Sequence, residues 1–243
     1  MMQSSSKRKT KEAPNGKTYL NLGCGARVHK DWNHVDFSHY AFLKNHMVMA
    51  KMLRKAGLIS DLRWERLCGM TSDVLRHDLR RGIPWEEHRF DFVYHSHFLE
   101  HLHRSDAQTF LLDCYRVLKP NGIIRVVVPD LHKSIVKYNE SWEKLRAGDL
   151  SALEMHQHAI EGMYGQMVRT EATGVKEQKN KIALFLEKKF RSNPDKTGEL
   201  HKWMYNEYTL KKVMEQAGFK DVQKKSEVTS FDPDWVDFKL DVN

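Results

Sequence analysis

Four short apolar runs interrupt an otherwise charged chain and set its rhythm. Residues 18–22 (TYLNL), 32–36 (WNHVD), 90–95 (FDFVYH) and 123–128 (IIRVVV) are rich in aromatic and branched side chains and bounded by Gly, Pro, Asn or Asp, as strands are. The last is almost continuously apolar, which predicts a strand covered on both faces of a mostly parallel sheet. Residues 74–79 read as a further short strand, and 220–230 as final strand material. Between 95 and 123 lies the clearest helix. Ala107, Phe110, Leu111, Cys114, Val117 and Leu118 recur at steps of three and four, Ser105 and Gln108 have capping-box spacing, and Lys119-Pro-Asn-Gly122 is the stop. Strand, helix and strand in succession predict a right-handed crossover, with ligands gathered beyond the carboxyl ends of the strands.

A helical pattern is also expected over 40–55, and another over 208–217, capped by Asn206 and closed by Gly218. From 131 to 200 the chain is charged and mostly helical in pattern, an insertion or lid rather than a second core. The 243 residues fit one elaborated α/β domain over 18–243, preceded by a disordered basic tail at 1–17. That tail carries half of the formal net charge of +8, so the body gives weak support for a nucleic-acid partner. Cys24, Cys68 and Cys114 are scattered and lack CxxC spacing, which argues against a disulfide framework or a cysteine zinc site. No run approaches the roughly 18 apolar residues of a membrane span, and the N-terminus lacks the apolar centre of a secretory signal. The expectation is a soluble, cytoplasmic protein.

The chemistry concentrates at the predicted strand ends. Gly23 and Gly25 allow a tight turn and close approach of a ligand to the backbone. A dinucleotide fingerprint would continue to a third glycine, but that region is Arg27-Val28-His29, which disfavours a nicotinamide. Asp36 ends the second run, where a carboxylate either accepts ribose hydroxyls or serves a turn. Asp78 ends the third, placed either to accept from an adenine amine or to act structurally.

LNLGCG, WNHVDF, RHDL, FDFVYHSHFLEHL and YRVLKPNGIIRVVVPD, in that order over residues 19–130, resemble the successive motifs of class I S-adenosylmethionine-dependent methyltransferases. The small predicted, type 11-like group is the nearest in pattern, and 201–219 (HKWMYNEYTLKKVMEQAGF) is similar to it as well. The resemblance implies a Rossmann-like, doubly wound, mostly parallel seven-stranded sheet with helical insertions. It implies S-adenosylmethionine as cofactor, with Gly23, Cys24 and Gly25 along the amino-acid part, Asp36 at the ribose, Asp78 and Leu79 at the adenine, and His95 near the methionine end. A methionine-linked nucleoside has no pyrophosphate to seat, so the third glycine is dispensable. The spacing departs from the family, since the thirteen positions from Gly23 to Asp36 leave room for at most about two helical turns.

His97, Glu100 and His101 follow the fourth strand at helical steps and are the candidates for activating an acceptor; a helix-anchoring role is the alternative. With His103 nearby, the same group has the makings of a divalent-metal cluster, similar to that of RNA 2′-O-methyltransferases of the small-RNA end-modifying type. His97 stands where that pattern has glutamate, and no metal ligand is assigned. Asp130 and His132 after the fifth strand, with His201, Trp203 and Tyr205 as an aromatic wall, are the candidate substrate contacts; a turn role for the first two and core packing for the aromatic positions are the alternatives. An O or N acceptor, preferably a glycan or small metabolite, is expected; the alternatives are an RNA-binding protein or RNA 2′-O-methyltransferase, and a cofactor-binding scaffold without turnover.

Overall fold

The computed structural model describes residues 8–70, 73–167 and 200–241. Five strands among them form one sheet: β1 (Tyr19–Leu22), β2 (Asn33–Asp36), β3 (Leu75–Arg76), β4 (Phe90–Ser96) and β5 (Leu118–Val127). Every pairing is parallel, in the spatial order β3-β2-β1-β4-β5. The chain steps outward from β1 through β2 to β3, then returns to lay β4 on the other side of β1. The strand order therefore reverses between β1 and β4, and the crevice beyond their carboxyl ends is where such sheets take ligands. In register, Leu22 stands opposite both Val35 and His95.

Helix α4 (Arg104–Val117) shows why the pattern was readable. Its Ala107, Phe110, Leu111, Cys114 and Val117 are all buried, against Leu20, Leu22, Phe90 and Val93 of the sheet. The opposite face is closed by Tyr19, Trp32, Phe92 and Tyr94, packed against Trp235 and Leu240 near the C-terminus. Helix α7 (Glu207–Gln216) starts with the capping box of Asn206 and Thr209, and Gly218 follows at φ +100°.

Several expectations change. The seven-stranded sheet is five-stranded among the described residues. Residues 220–230 form no strand; their charged side chains are exposed, and Arg125 instead holds the carbonyls of Ser226 and Thr229 at 2.8 Å each. The pattern over 40–55 divides into α1 (His39–Lys44) and α2 (Met47–Lys55), because His46 leaves helical geometry and the Asn45 amide donates to the Val74 carbonyl at 3.1 Å. His103, not Ser105, is the N-cap of α4. The short β1–β2 connection carries no helix.

In place of a tail free of the body up to residue 17, Ala13 is buried, the Lys11 amide donates to Asn33 at 2.8 Å, and Lys17 pairs with Asp232 at 3.1 Å. Residues 1–7 of that segment lie outside the described residues. Of the region 131–200, α5 (Leu131–Arg146) and α6 (Leu153–Met167) pack on each other, with Ser141 Oγ 2.9 Å from His156 Nδ1 in the contact, and 168–199 lie outside the described residues. The excursion starts and ends at one point: Asp130 and Tyr205 form a parallel bridge, and the Leu131 amide donates to the Tyr205 carbonyl at 2.9 Å. Among the described residues, no helix is long and apolar enough to cross a membrane.

Arg125 gives the first prediction. Its guanidinium is one-tenth exposed, 2.7 Å from Asp241 and 4.4 Å over Trp235. Removing it strands a carboxylate and two carbonyls, so Arg125→Met should cost about 3 kcal/mol, read by urea unfolding. An unchanged midpoint would mean that the C-terminal segment is held by other contacts.

Two strand histidines give the second. Burial lowers His34 and His95 from 6.5 to about 4 each. Above pH 6.5 neither contributes a pH dependence; as pH falls from 6.5 toward 4, the unfolded chain takes up protons that the folded one refuses. Stability should then drop by about 1.4 kcal/mol per pH unit per histidine. Melting curves between pH 7.5 and 5 should show this, and His34→Gln with His95→Phe should flatten it. A slope unaltered in the double variant would assign the acid sensitivity elsewhere.

Candidate functional site

The crevice at the strand-order reversal collects the glycine turn after β1, the end of β2 and the segment after β4. Gly23 and Gly25 have φ of +65° and +55°, the left-handed region that glycine enters without penalty. At Gly23 the reason is also steric: a Cβ there would lie 2.6 Å from the Phe98 ring. At Gly25 a Cβ would meet nothing within 4 Å, so open space stands directly against the backbone.

Asp36 ties the turn to β2. Buried at the strand end, its carboxylate accepts the Gly25 amide at 2.8 Å and the Ser38 amide, while the Asp36 carbonyl takes the His77 amide at 3.2 Å. The ends of β1, β2 and β3 are thus linked through one residue. A carboxylate has about four acceptor sites, so two amides leave capacity for a diol. The open space at Gly25 lies beside this carboxylate. The Cys24 thiol lies buried between them, pushed to high pKa by burial and by Asp36.

Asp78 follows β3 directly, but its carboxylate is gripped by Arg80, with Nε and Nη2 at 2.9 and 2.8 Å. That hydrogen bonding holds its acid below the usual carboxylate range. An adenine amine would share it with Arg80. Leu79 is buried in the main core cluster. His95 is wholly buried, its ring 5.2 Å from that of Phe110, with neither nitrogen hydrogen-bonded.

After β4 the chain turns sharply. His97 has φ +50°, uncommon for a residue with a Cβ, and its amide is anchored on the Val127 carbonyl at 2.9 Å. The expected helix is only a single 3-10 turn, Leu99–His101. It buries Glu100 completely, with neither oxygen hydrogen-bonded, while His97 Nδ1 lies 3.3 Å from Oε1. Burial would raise this carboxyl, but His97 and His101 beside it hold it below the usual range. The His97 side chain is 55% exposed, so its other ring edge is open to an incoming molecule.

The candidate substrate residues separate. His201 joins the cluster, Nε2 3.9 Å from Glu100 Oε1 and its ring 4.8 Å from that of His101. The Lys202 and Trp203 amides donate to the Glu100 carbonyl at 2.7 and 3.2 Å, docking this strip on the 3-10 turn. Trp203 is exposed under Arg104 at 4.6 Å, Tyr205 is almost wholly buried in the main core, and the two line one cavity of about 660 Å³ with Arg104 and Gln108. Asp130 caps α5 by accepting the His132 amide at 3.0 Å, and the His132 side chain is exposed. Phe98, which walls the glycine turn, escaped the sequence reading; its one signal was an aromatic residue between two histidine-bearing positions.

Residues 20–126 match the model of a family described as a methyltransferase domain. Among solved structures, the chain is similar to an S-adenosylmethionine-dependent methyltransferase from Archaeoglobus fulgidus, with 17% identity and a TM-score of 0.41 over 85% of this chain and 62% of that one. It is also similar to one from Aquifex aeolicus, with 15% identity and a TM-score of 0.38 over 87% of this chain and 75% of that one. The chain thus spans less than two thirds of the length of the Archaeoglobus protein. No protein of curated function matches the sequence. The similarity to a methyltransferase domain thus spans β1 to β5, within residues 20–126.

Proposed function

We propose that the protein transfers a methyl group from S-adenosylmethionine to an oxygen or nitrogen acceptor whose proton is removed at His97. The observation that carries this is the pairing of two unlike halves at one crevice. The Gly23–Gly25 turn and Asp36 offer backbone and carboxylate to a nucleoside, and beyond Phe98 a buried carboxylate holds an open imidazole.

When bound, S-adenosylmethionine supplies a methyl carbon activated by a sulfonium. Asp36 would hold the ribose, Gly25 the nearby backbone contact and Phe98 the wall at the methionine end. Glu100, placed at His97 Nδ1, orients that ring so that Nε2 is the atom left to take the acceptor proton, and the negative carboxylate stabilises the imidazolium that results. Complete burial keeps water from Glu100 and strengthens the pair. A base is needed for hydroxyls and protonated amines, so glycan and small-metabolite hydroxyls are the first acceptors to screen.

Two measurements test the halves separately. Titration calorimetry should detect S-adenosylmethionine binding to the full chain, and Asp36→Ala should weaken it roughly 10- to 100-fold, the range for losing a hydrogen bond to a charged group. A folded wild-type protein that binds none at about millimolar cofactor would sink the reading. His97→Ala should lower turnover about 100-fold with cofactor affinity unchanged; retained turnover would remove His97 as the base.

A further inference from the structure

We infer that the groove between α4 and α7 is a binding site for a small anion, a carboxylate or phosphate carried on an apolar body. Its cavity of about 660 Å³ falls within the roughly 300–1,000 Å³ of small-molecule pockets. Neither Gly25, Asp36 nor His97 lines it, so it is distinct from the crevice described above. Ala107, Val213 and the Tyr205 ring supply apolar surface, the exposed cations Arg104 and Lys212 stand beside them, and no acidic residue belongs to the lining. Two observations give the ligand its charge. Tyr205 is 2% exposed with its ring in the main core, yet its hydroxyl makes no hydrogen bond among the described residues and is not sealed from solvent. A phenol drawn this far inside normally has a partner. Burial raises its pKa, against the charge of Arg104, so the hydroxyl keeps its proton and offers a donor at the cavity edge. Arg104 is the second observation. Its guanidinium lies 4.6 Å over the Trp203 ring and meets no carboxylate among the described residues. A guanidinium stacked on an indole keeps its N–H edge free, and that fork matches a carboxylate or phosphate. Lys212, from the adjacent helix, is likewise without a carboxylate among the described residues.

Two solvated surface cations are the competing account. That explains Arg104 and Lys212 but not a core tyrosine whose hydroxyl ends unbonded at a cavity. A neutral apolar ligand would suit Ala107 and Val213, yet it would leave the hydroxyl and both cations unused. The strip that carries Trp203 is docked on the Glu100 carbonyl, so the groove adjoins the 97–101 turn. An anionic tail of a methyl acceptor is therefore one use for the site. That use rests on the methyltransferase reading; anion binding itself does not.

The full chain should be titrated by calorimetry with 2-naphthoate and 2-naphthyl phosphate, and with the neutral 2-naphthalenemethanol for comparison. Saturable binding of at least one anion, tighter than that of the alcohol, is expected, and the stronger of the two identifies the preferred head group. Arg104→Gln should weaken it roughly 10- to 100-fold, the range for losing a hydrogen bond between charged groups. Trp203→Leu, which removes the platform under the guanidinium, should weaken it about 2- to 5-fold. Tyr205→Phe should weaken it about 10-fold while leaving the urea midpoint unchanged or raised, because the hydroxyl it removes has no partner in the fold. A lowered midpoint in Tyr205→Phe would show that the hydroxyl serves the structure and would overturn the site. So would folded wild-type protein that binds neither anion at about millimolar concentration, equal binding of the alcohol, or undiminished binding in Arg104→Gln. Repeating the titration with S-adenosylmethionine present separates the two readings: anion binding in a chain that takes up no cofactor upholds the groove and removes its link to methyl transfer, whereas displacement by the cofactor with Arg104→Gln and Tyr205→Phe unaffected would assign the probes to the Gly25 crevice and overturn it.

Discussion

The parallel pairing of β1 with β4 is the constraint on which the rest depends. It sets Leu22 opposite His95, so the residues that follow each strand must leave the sheet side by side. Both departures use left-handed backbone, at Gly23 and at His97. For Gly23 this is free; for His97 it costs on the order of 1 kcal/mol or more, and the bond from its amide to Val127 helps to hold it. The two turns diverge enough for Phe98 to stand over the glycine and close one wall of the crevice. Were the His97 turn relaxed to extended backbone, Phe98 and Glu100 would both be carried away from the glycine turn.

A second constraint is electrostatic. Withdrawing the Glu100 carboxylate from water costs several kcal/mol unless nearby positive charge or donors offset it. The fold answers with imidazoles: His97 at 3.3 Å, His201 at 3.9 Å and His101 beside them. The main-chain bonds from residues 202 and 203 keep this cluster in place regardless of the charge state of the side chains.

How far the sequence revealed this depends on the distance along the chain over which each interaction acts. The α4 stripe was readable because its spacing repeats within each helical turn, and the Gly-Cys-Gly turn and Asp36 because they lie within a thirteen-residue stretch. Asp78 was identified, yet its grip on Arg80, two residues away, was not weighed, and that contact changes what the carboxylate offers. The missing strands had no periodic signal over 220–230 to contradict the family pattern; what occupies that surface depends on Arg125 reaching about a hundred residues forward. For Tyr205 the sequence left core packing and a substrate wall both open, because it gives type and not direction; the side chain packs in the main core and its edge lines a cavity with Trp203. The meeting of His201 with Glu100 could not be read at all, since it follows from the Asp130–Tyr205 bridge that returns the chain to the sheet.

That bridge also distinguishes how the two halves of the site are held. The half made by the glycine turn and Asp36 lies within residues 23 to 38 and is held by main-chain amides donating to one carboxylate. The other half brings side chains of the 97–101 turn to the 200–203 strip, whose return to the sheet is fixed at the Asp130–Tyr205 bridge. Main-chain bonds therefore hold both halves: the Leu131 amide on the Tyr205 carbonyl and the residue 202 and 203 amides on the Glu100 carbonyl for one, the Gly25 and Ser38 amides on Asp36 for the other, so neither frame depends on the charge state of a histidine.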